Sequence, residues 1–171
     1  MKSVLISIQP KWCELIASGK KTIEVRKTAP KLETPFKCYI YEIKGLCSTP
    51  TFIDEYGYVS YRGRGAVIGE FVCDYIWDYY FWQKEDIDKD TIIDTCLSFD
   101  EIWNYGKGKT IYGWYISDLK IYDKPKGLGE FRISRNCKEK DCETCKRRRG
   151  EYICDKRLTR PFQSWGYVDA L

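Results

Sequence analysis

Histidine is missing from all 171 residues. Its absence removes Ser-His-Asp and Cys-His catalysis and any His-ligated metal centre. Acid–base work therefore falls to Lys, Glu, Asp, Tyr or Cys. No run of 18 apolar residues occurs, so no membrane-spanning helix and no membrane partner are expected. There is no internal repeat and no low-complexity linker, which excludes a solenoid or a disordered tether. A strong bulk charge is lacking too: 29 basic and 25 acidic residues leave only +4. Net charge alone thus identifies no partner.

What is present is a globular composition, 43% hydrophobic and 32% charged. The length suits one ordinary domain with a small appendage, and a monomer is the expected state. Aromatics make up 16%, with 14 Tyr and 6 Trp, which fits a small β-rich core with some stacking surface. There are 9 Cys, an odd number. The opening Met1–Ile8 is too short and too alternating for a signal peptide and reads as a strand. Together these predict reduced thiols and a cytoplasmic location. The charge is uneven: residues 132–160 carry 11 Lys/Arg and 5 Asp/Glu, so the positive field sits toward the C-terminus.

The pattern along the chain predicts an α+β fold of five to six mixed strands with two or more helices, curved into a small barrel. Strands are expected at 3–8, about 20–27, 37–43, 66–73 (running on into the aromatic stretch 75–82), 112–122 and 163–168. Pro10 suits the first turn of a helix that Gly19 stops. Ser98-Phe99-Asp100-Glu101 is a capping-box pattern for a second helix. Pro125 is expected to end the fifth strand. The division is 1–129 for the main body, 130–160 for an insertion and 161–171 for a last strand returning to the sheet.

The insertion holds Cys137-x4-Cys142-x2-Cys145-x8-Cys154. Four soft ligands, two of them on a two-residue knuckle, suit tetrahedral zinc. The segment has too few large apolar residues for a core of its own, and a metal would supply the folding energy. Four protein ligands leave no open position, so the expected site is structural. Unrelated reduced thiols, a Cys142/Cys145 redox pair and an iron–sulfur cluster are the alternatives. Lys146-Arg147-Arg148-Arg149 lies inside this insertion, where Arg147 and Arg148 would clamp phosphate or simply be solvated.

The richest local pattern is Gly19-Lys20-Lys21-Thr22-Ile23-Glu24-Val25-Arg26. On a regular strand Lys20, Thr22, Glu24 and Arg26 share one face and Lys21, Ile23 and Val25 the other. Lys21 and Glu24 converge only if a turn or bulge precedes the strand. Converged, Lys21 either binds a phosphate or carbonyl while Glu24 accepts from a base or ribose and Arg26 offers a planar donor fork, or acts as a base or nucleophile of lowered pKa. A purely structural Glu24–Arg26 ion pair is the competing reading. Trp114, Tyr115 or Trp165 would stack a base. Arg62 and Arg64, set between glycines, are either phosphate clamps or solvated loop residues. Glu70, beside Gly69, enters the cleft or faces solvent. The aromatic run 75–82 is either a stacking platform or packing.

Gln9-Pro10-Lys11-Trp12 followed by Leu15-Ile16-x-x-Gly19-x-Lys21-Thr22-Ile23-Glu24-Val25-Arg26 resembles the ASCH domain of the PUA-like superfamily, whose pattern is a helix and then G-x-K-x-x-E-x-R. Gly65-x-Val67-Ile68-Gly69-Glu70 resembles its central strand. Tyr105-Gly106 with Gly113–Asp118 resembles its late helix-to-strand passage. The resemblance spans roughly 3–122 and the last strand, and leaves the four-cysteine insertion outside. It implies a PUA-like β-barrel with a cleft beside the first helix and an RNA or nucleotide-like ligand. Some members are hydrolases, either of N4-acetylcytidine or of RNA. The amidohydrolase type uses a Lys, a Thr three residues later and a Glu before the late helix. Here Lys21 matches, Glu24 stands at the Thr position, and 94–96 read Asp-Thr-Cys.

The expected function is therefore RNA or nucleotide binding in a cleft of Lys21, Glu24, Arg26 and Tyr115, extended by a basic zinc insertion. The alternative is a nucleic-acid-related hydrolase using Lys21, Glu24 and Tyr115. A protein-interaction module, with the insertion as docking surface, is the third reading.

Overall fold

The computed structural model describes residues 2–45, 52–53, 55–60, 62–134, 145–148, 151–154 and 156–169. In chain order the elements are β1 (Lys2–Ile8), α1 (Pro10–Ala17), β2 (Ile23–Arg26), β3 (Phe36–Glu42), β4 (Phe52–Ile53), β5 (Val59–Ser60), β6 (Ala66–Tyr79), α2 (Lys89–Thr95), α3 (Phe99–Gly106), β7 (Ile111–Lys126), β8 (Cys145–Arg148), β9 (Glu151–Cys154) and β10 (Trp165–Asp169). Six strands form one mixed sheet in the order β10-β1-β3-β6-β7-β2, while β4-β5 and β8-β9 are two-stranded. β1 runs parallel to β3 and antiparallel to β10, and β2 runs antiparallel to β7. The fold is α+β as expected. The hydrogen-bonded order among described residues ends at β10 and β2, so the expectation of a closed barrel is met only as far as a mixed six-stranded sheet.

Local sequence explains most elements. Pro10 opens α1 because a first-turn residue needs no amide hydrogen. Gly19, at φ 72°, takes the left-handed conformation just beyond the helix. Ser98 caps α3 through the expected box, its side chain accepting from the Glu101 amide while Glu101 accepts from the Ser98 amide. β1 is buried at every position after Lys2 and lies inside the sheet between β3 and β10.

Other boundaries moved. The strand expected over 20–27 is confined to Ile23–Arg26. The amides of Lys20 and Lys21 still bond back to the Leu15 carbonyl, so the helix exit takes up those residues. Pro125 does not end the fifth strand, which continues to Lys126. β2 pairs only with 112–115, so beyond that point one side of β7 has no β2 partner and tolerates a residue without an amide hydrogen. Helix α2 and the β4-β5 hairpin were not anticipated.

The chain divides into two compact units. The first comprises Met1–Pro10, Lys37–Glu70 and Ile121–Leu171. Its core is Leu5, Tyr39, Tyr41, Val67, Phe131, Leu158 and Val168. The Tyr39 and Phe131 rings meet edge to face at 4.9 Å. The second comprises Lys11–Phe36 and Phe71–Lys120. It packs around Val25, Ile87, Ile102 and Ile111, with Tyr79, Phe81 and Trp103 alongside.

Candidate functional site

The convergence of Lys21 and Glu24 depends on a turn before the strand, and the second unit has one. Lys21 and Thr22 lie ahead of β2, where the Thr22 amide donates to the Asp94 carbonyl and the Ile116 amide to the Thr22 carbonyl. The irregular step turns Lys21 toward Glu24 instead of away from it. Lys21 Nζ stands 3.5 Å from Glu24 Oε2, and Arg26 Nη2 stands 2.9 Å from Glu24 Oε1. All three are largely shielded: Lys21 is 2% exposed, Glu24 5%, and the Arg26 side chain 11%.

Lys21 has two further neighbours. Its ammonium donates to the Thr95 carbonyl at 2.5 Å. Thr95 is the last residue of α2, and Cys96 follows in the left-handed conformation at φ 53°. Carbonyls at a helix end lack intrahelical partners, and cations are favoured there. Lys21 also lies 5.3 Å above the Trp12 ring of α1, within cation–π range. Burial holds its pKa below the usual lysine value, opposed by the Glu24 carboxylate and reinforced by Arg26. A lysine so placed is either an ion-pair ligand or a base.

Tyr115 is the Cα partner of Ile23, and Trp114 that of Glu24. Tyr115 stacks on Tyr75 of β6 with ring centroids 3.8 Å apart. Tyr75 donates its hydroxyl to Tyr115, which raises the Tyr75 pKa to about 12. Burial raises that of Tyr115 as well, and a hydrogen bond to Tyr79 adds to it. Gly113 makes room for this: a Cβ there would stand 2.6 Å from the Tyr79 ring. Trp114 takes no part in stacking a base. It is fully buried with its ring edge-on to Phe36 at 6.0 Å, because strand alternation sends it to the face opposite Tyr115. Glu24, its Cα partner, shares that face, so the register does not bring Tyr115 together with Glu24 as expected from the sequence.

The remaining expected residues lie in the first unit. Glu70 is not an open cleft carboxylate: it pairs with Lys37 at 2.9 Å and accepts the Tyr122 hydroxyl. Arg64 is exposed, but its guanidinium is committed to the buried Glu42 at 2.7 Å, which also accepts the Arg64 amide at 2.9 Å. Gly63 allows that approach, since a Cβ there would meet the Ile43 carbonyl oxygen at 1.9 Å. Arg62 is exposed beside it. Trp165 begins β10 and packs edge to face on Tyr167 at 5.5 Å. Of the cysteines, Cys137 and Cys142 lie outside the described residues. Cys145 and Cys154 are directly opposed Cα partners in the β8-β9 hairpin, which also carries Arg147 opposite Tyr152 and Arg148 opposite Glu151. Among the residues whose side chains are described, no group of three or more metal-ligating side chains gathers.

Two contributors to the Lys21 cluster were not foreseen from sequence: Trp12 and the Thr95 carbonyl. The first sits at helical spacing and reads as core. The second is a backbone atom without a residue signature.

The ASCH domain profile matches residues 6–146. No curated protein matches the chain. Among solved structures, ASCH from Zymomonas mobilis is similar at 20% identity, covering 74% of this chain and 73% of that one with a TM-score of 0.54. A single-residue variant of the same protein gives 20% identity, 75% and 77% coverage and a TM-score of 0.53. Identity at this level speaks for the fold. No helix among the described residues is long and apolar enough to cross a membrane. With a profile match over most of its length, the chain belongs to the ASCH domain family.

Proposed function

We propose that this protein binds RNA or a nucleotide-like ligand at the Lys21–Glu24–Arg26 cluster. The observation that carries this reading is two cations gathered on one carboxylate in a shielded position. Burying charge is costly, and a pair with a second cation beside it favours an incoming anion such as a phosphate. Glu24 then accepts from a base or ribose. ASCH domains are generally nucleic-acid binding, which fits. The 11 basic residues of 132–160 would add phosphate contacts through Arg147 and Arg148.

The second reading, a hydrolase of modified nucleosides or of RNA, draws on the lowered pKa of Lys21. A lysine whose proton is more readily lost can serve as base or nucleophile. The helix-capping bond to Thr95 weighs against it, because it holds the ammonium in its charged form.

The experiment is anisotropy and gel analysis of labelled single-stranded RNA in magnesium-free buffer, with the wild type, Lys21→Ala and Arg26→Lys. Circular dichroism establishes that each variant is folded. Intact RNA with salt-dependent affinity that falls in both variants supports binding. Cleavage, or turnover of N4-acetylcytidine, that vanishes in Lys21→Ala moves the assignment to a hydrolase. RNA neither bound nor cut by the folded wild type overturns both.

We also propose a structural zinc ion held by Cys137, Cys142, Cys145 and Cys154. Directly opposed residues of an antiparallel pair lie on one face of the ribbon, so the Cys145–Cys154 register supports a shared ligand. The two-residue knuckle from Cys142 to Cys145 supplies the other half of the argument.

A further inference from the structure

The second unit carries a surface that the Lys21 cluster does not use. Residues 71–100 contain eight carboxylates and two lysines, in a chain that is basic as a whole. The same stretch holds exposed large apolar side chains: Trp82 is 82% exposed, Trp77 56% and Tyr80 48%. Beyond Tyr79 the chain alternates. Tyr79 and Phe81 stack on one another, 5.9 Å apart, and line the core around Ile87 and Ile102. Tyr80 and Trp82 meet edge to face at 5.1 Å and are left in solvent.

This corner is held by its backbone. Asp86 accepts from the amides of Trp82 at 3.0 Å and Gln83 at 3.1 Å. The two rings are thus presented to solvent by a fixed turn. Asp78 and Glu85 are exposed on either side of them and hold no ion pair among the described residues. Lys84, by contrast, is committed to Asp100.

A nucleic acid would stack on such rings, but its phosphates would face a concentration of carboxylates. A lipid surface would be repelled likewise where its headgroups are anionic. Charge complementarity selects the reverse partner: a chain of Lys or Arg, whose cations pair with Asp78 and Glu85 and whose alkyl stems and guanidinium planes lie on the aromatic rings. Exposed Trp and Tyr are also the residue types that dominate binding energy at protein interfaces.

We propose that the Tyr80–Trp82 corner, flanked by Asp78 and Glu85, is a docking site for a Lys/Arg-rich segment of a partner protein. It lies on residues distinct from the Lys21 cluster, so the protein would hold its ligand and its partner by separate side chains.

The test uses the full chain and a fluorescein-labelled nonapeptide of alternating Arg and Lys, with an acidic nonapeptide and a labelled single-stranded RNA as parallel probes. The expected result is saturable binding of the basic peptide that weakens about tenfold or more in Trp82→Ala. Asp78→Asn with Glu85→Gln should weaken it further and flatten its salt dependence. All these side chains are exposed, so the variants keep the fold, and RNA binding that depends on Lys21 should be unchanged in them. Basic-peptide binding indifferent to Trp82→Ala overturns the proposal, since that is attraction by net acidity alone. So does loss of RNA affinity in Trp82→Ala, which would make the corner part of the nucleic-acid surface. Sedimentation gives the last outcome: self-association abolished by Trp82→Ala would assign the corner to a second copy of the chain and overturn the assignment to a partner protein.

Discussion

At the residue scale the central question is what Lys21 does with its charge. Desolvation pushes its pKa down, and Glu24 and the helix-terminal carbonyl of Thr95 oppose that. The folded-state pKa lies below the ordinary lysine value of 10.5, so between the two the unfolded chain holds more protons. Stability from this group therefore rises with pH through that window and is lowest beneath it. Lys21→Met removes the titration while keeping an unbranched side chain, and leaves Glu24 with Arg26. Urea unfolding of both proteins from neutral pH up to about pH 10.5 is expected to show wild type gaining on the variant as pH rises. Parallel profiles would mean that burial does not set the Lys21 proton. Residue patterning also explains Trp114 and Tyr115. Both are aromatic neighbours in sequence, and either reads as a stacking residue. Strand alternation buries the first and leaves the second beside Tyr75.

At the element scale, the reliable signals are those that act within a few residues. The capping box at Ser98 is one: the side chain satisfies an amide that the helix itself leaves open. Ser98→Ala is expected to cost about 0.5–2 kcal/mol of stability, measured by denaturant unfolding, with little change in RNA affinity because Ser98 touches no residue of the Lys21 cluster. α2 shows the opposite case. Its run Lys89–Thr95 is short, polar and weak in helical periodicity, with Asp88 as the cap. It is a helix because Thr91 and Thr95 are buried and β2 receives its C-terminal end. That end supplies the carbonyl that Lys21 binds, so an element poorly marked in sequence positions the best-marked residue. β2 itself is shorter than its β-propensity implies, because the exit from α1 takes up Lys20 and Lys21.

At the scale of the whole molecule, charge separates by segment. The stretch 71–100 is acidic and 132–160 basic, so a single net charge conceals two segments of opposite sign. The four cysteines belong to the basic segment. Metal analysis of protein purified under reducing conditions is expected to give one zinc per chain, lost in Cys145→Ser and in Cys154→Ser. Cobalt substitution should give the visible absorption of a tetrahedral thiolate site. The two cores draw on residues outside 137–154, so stripping the metal should leave the cooperative unfolding of the sheet in place. Zinc-free protein with nine titratable thiols and an unchanged hairpin would return these residues to ordinary reduced cysteines.

The sequence by itself determined what depends on near neighbours along the chain. The strand and helix positions of β1, α1, β3, β6 and α3 follow from apolar period, from Pro10, Gly19 and the Ser98 box, and the absence of histidine narrows the chemistry before any fold is known. The G-x-K-x-x-E-x-R pattern likewise marked Lys21, Glu24 and Arg26. Only the tertiary structure decided how those three meet. Their geometry rests on a backbone carbonyl from α2 and on a ring from α1. It rests also on the irregular step before β2, which lets residues three apart face each other. Such groups carry no sequence spacing of their own. Tertiary structure likewise committed Glu70 to Lys37 and Tyr122, and Arg64 to Glu42, because a charge near a core is stable only with a partner that the chain brings from elsewhere.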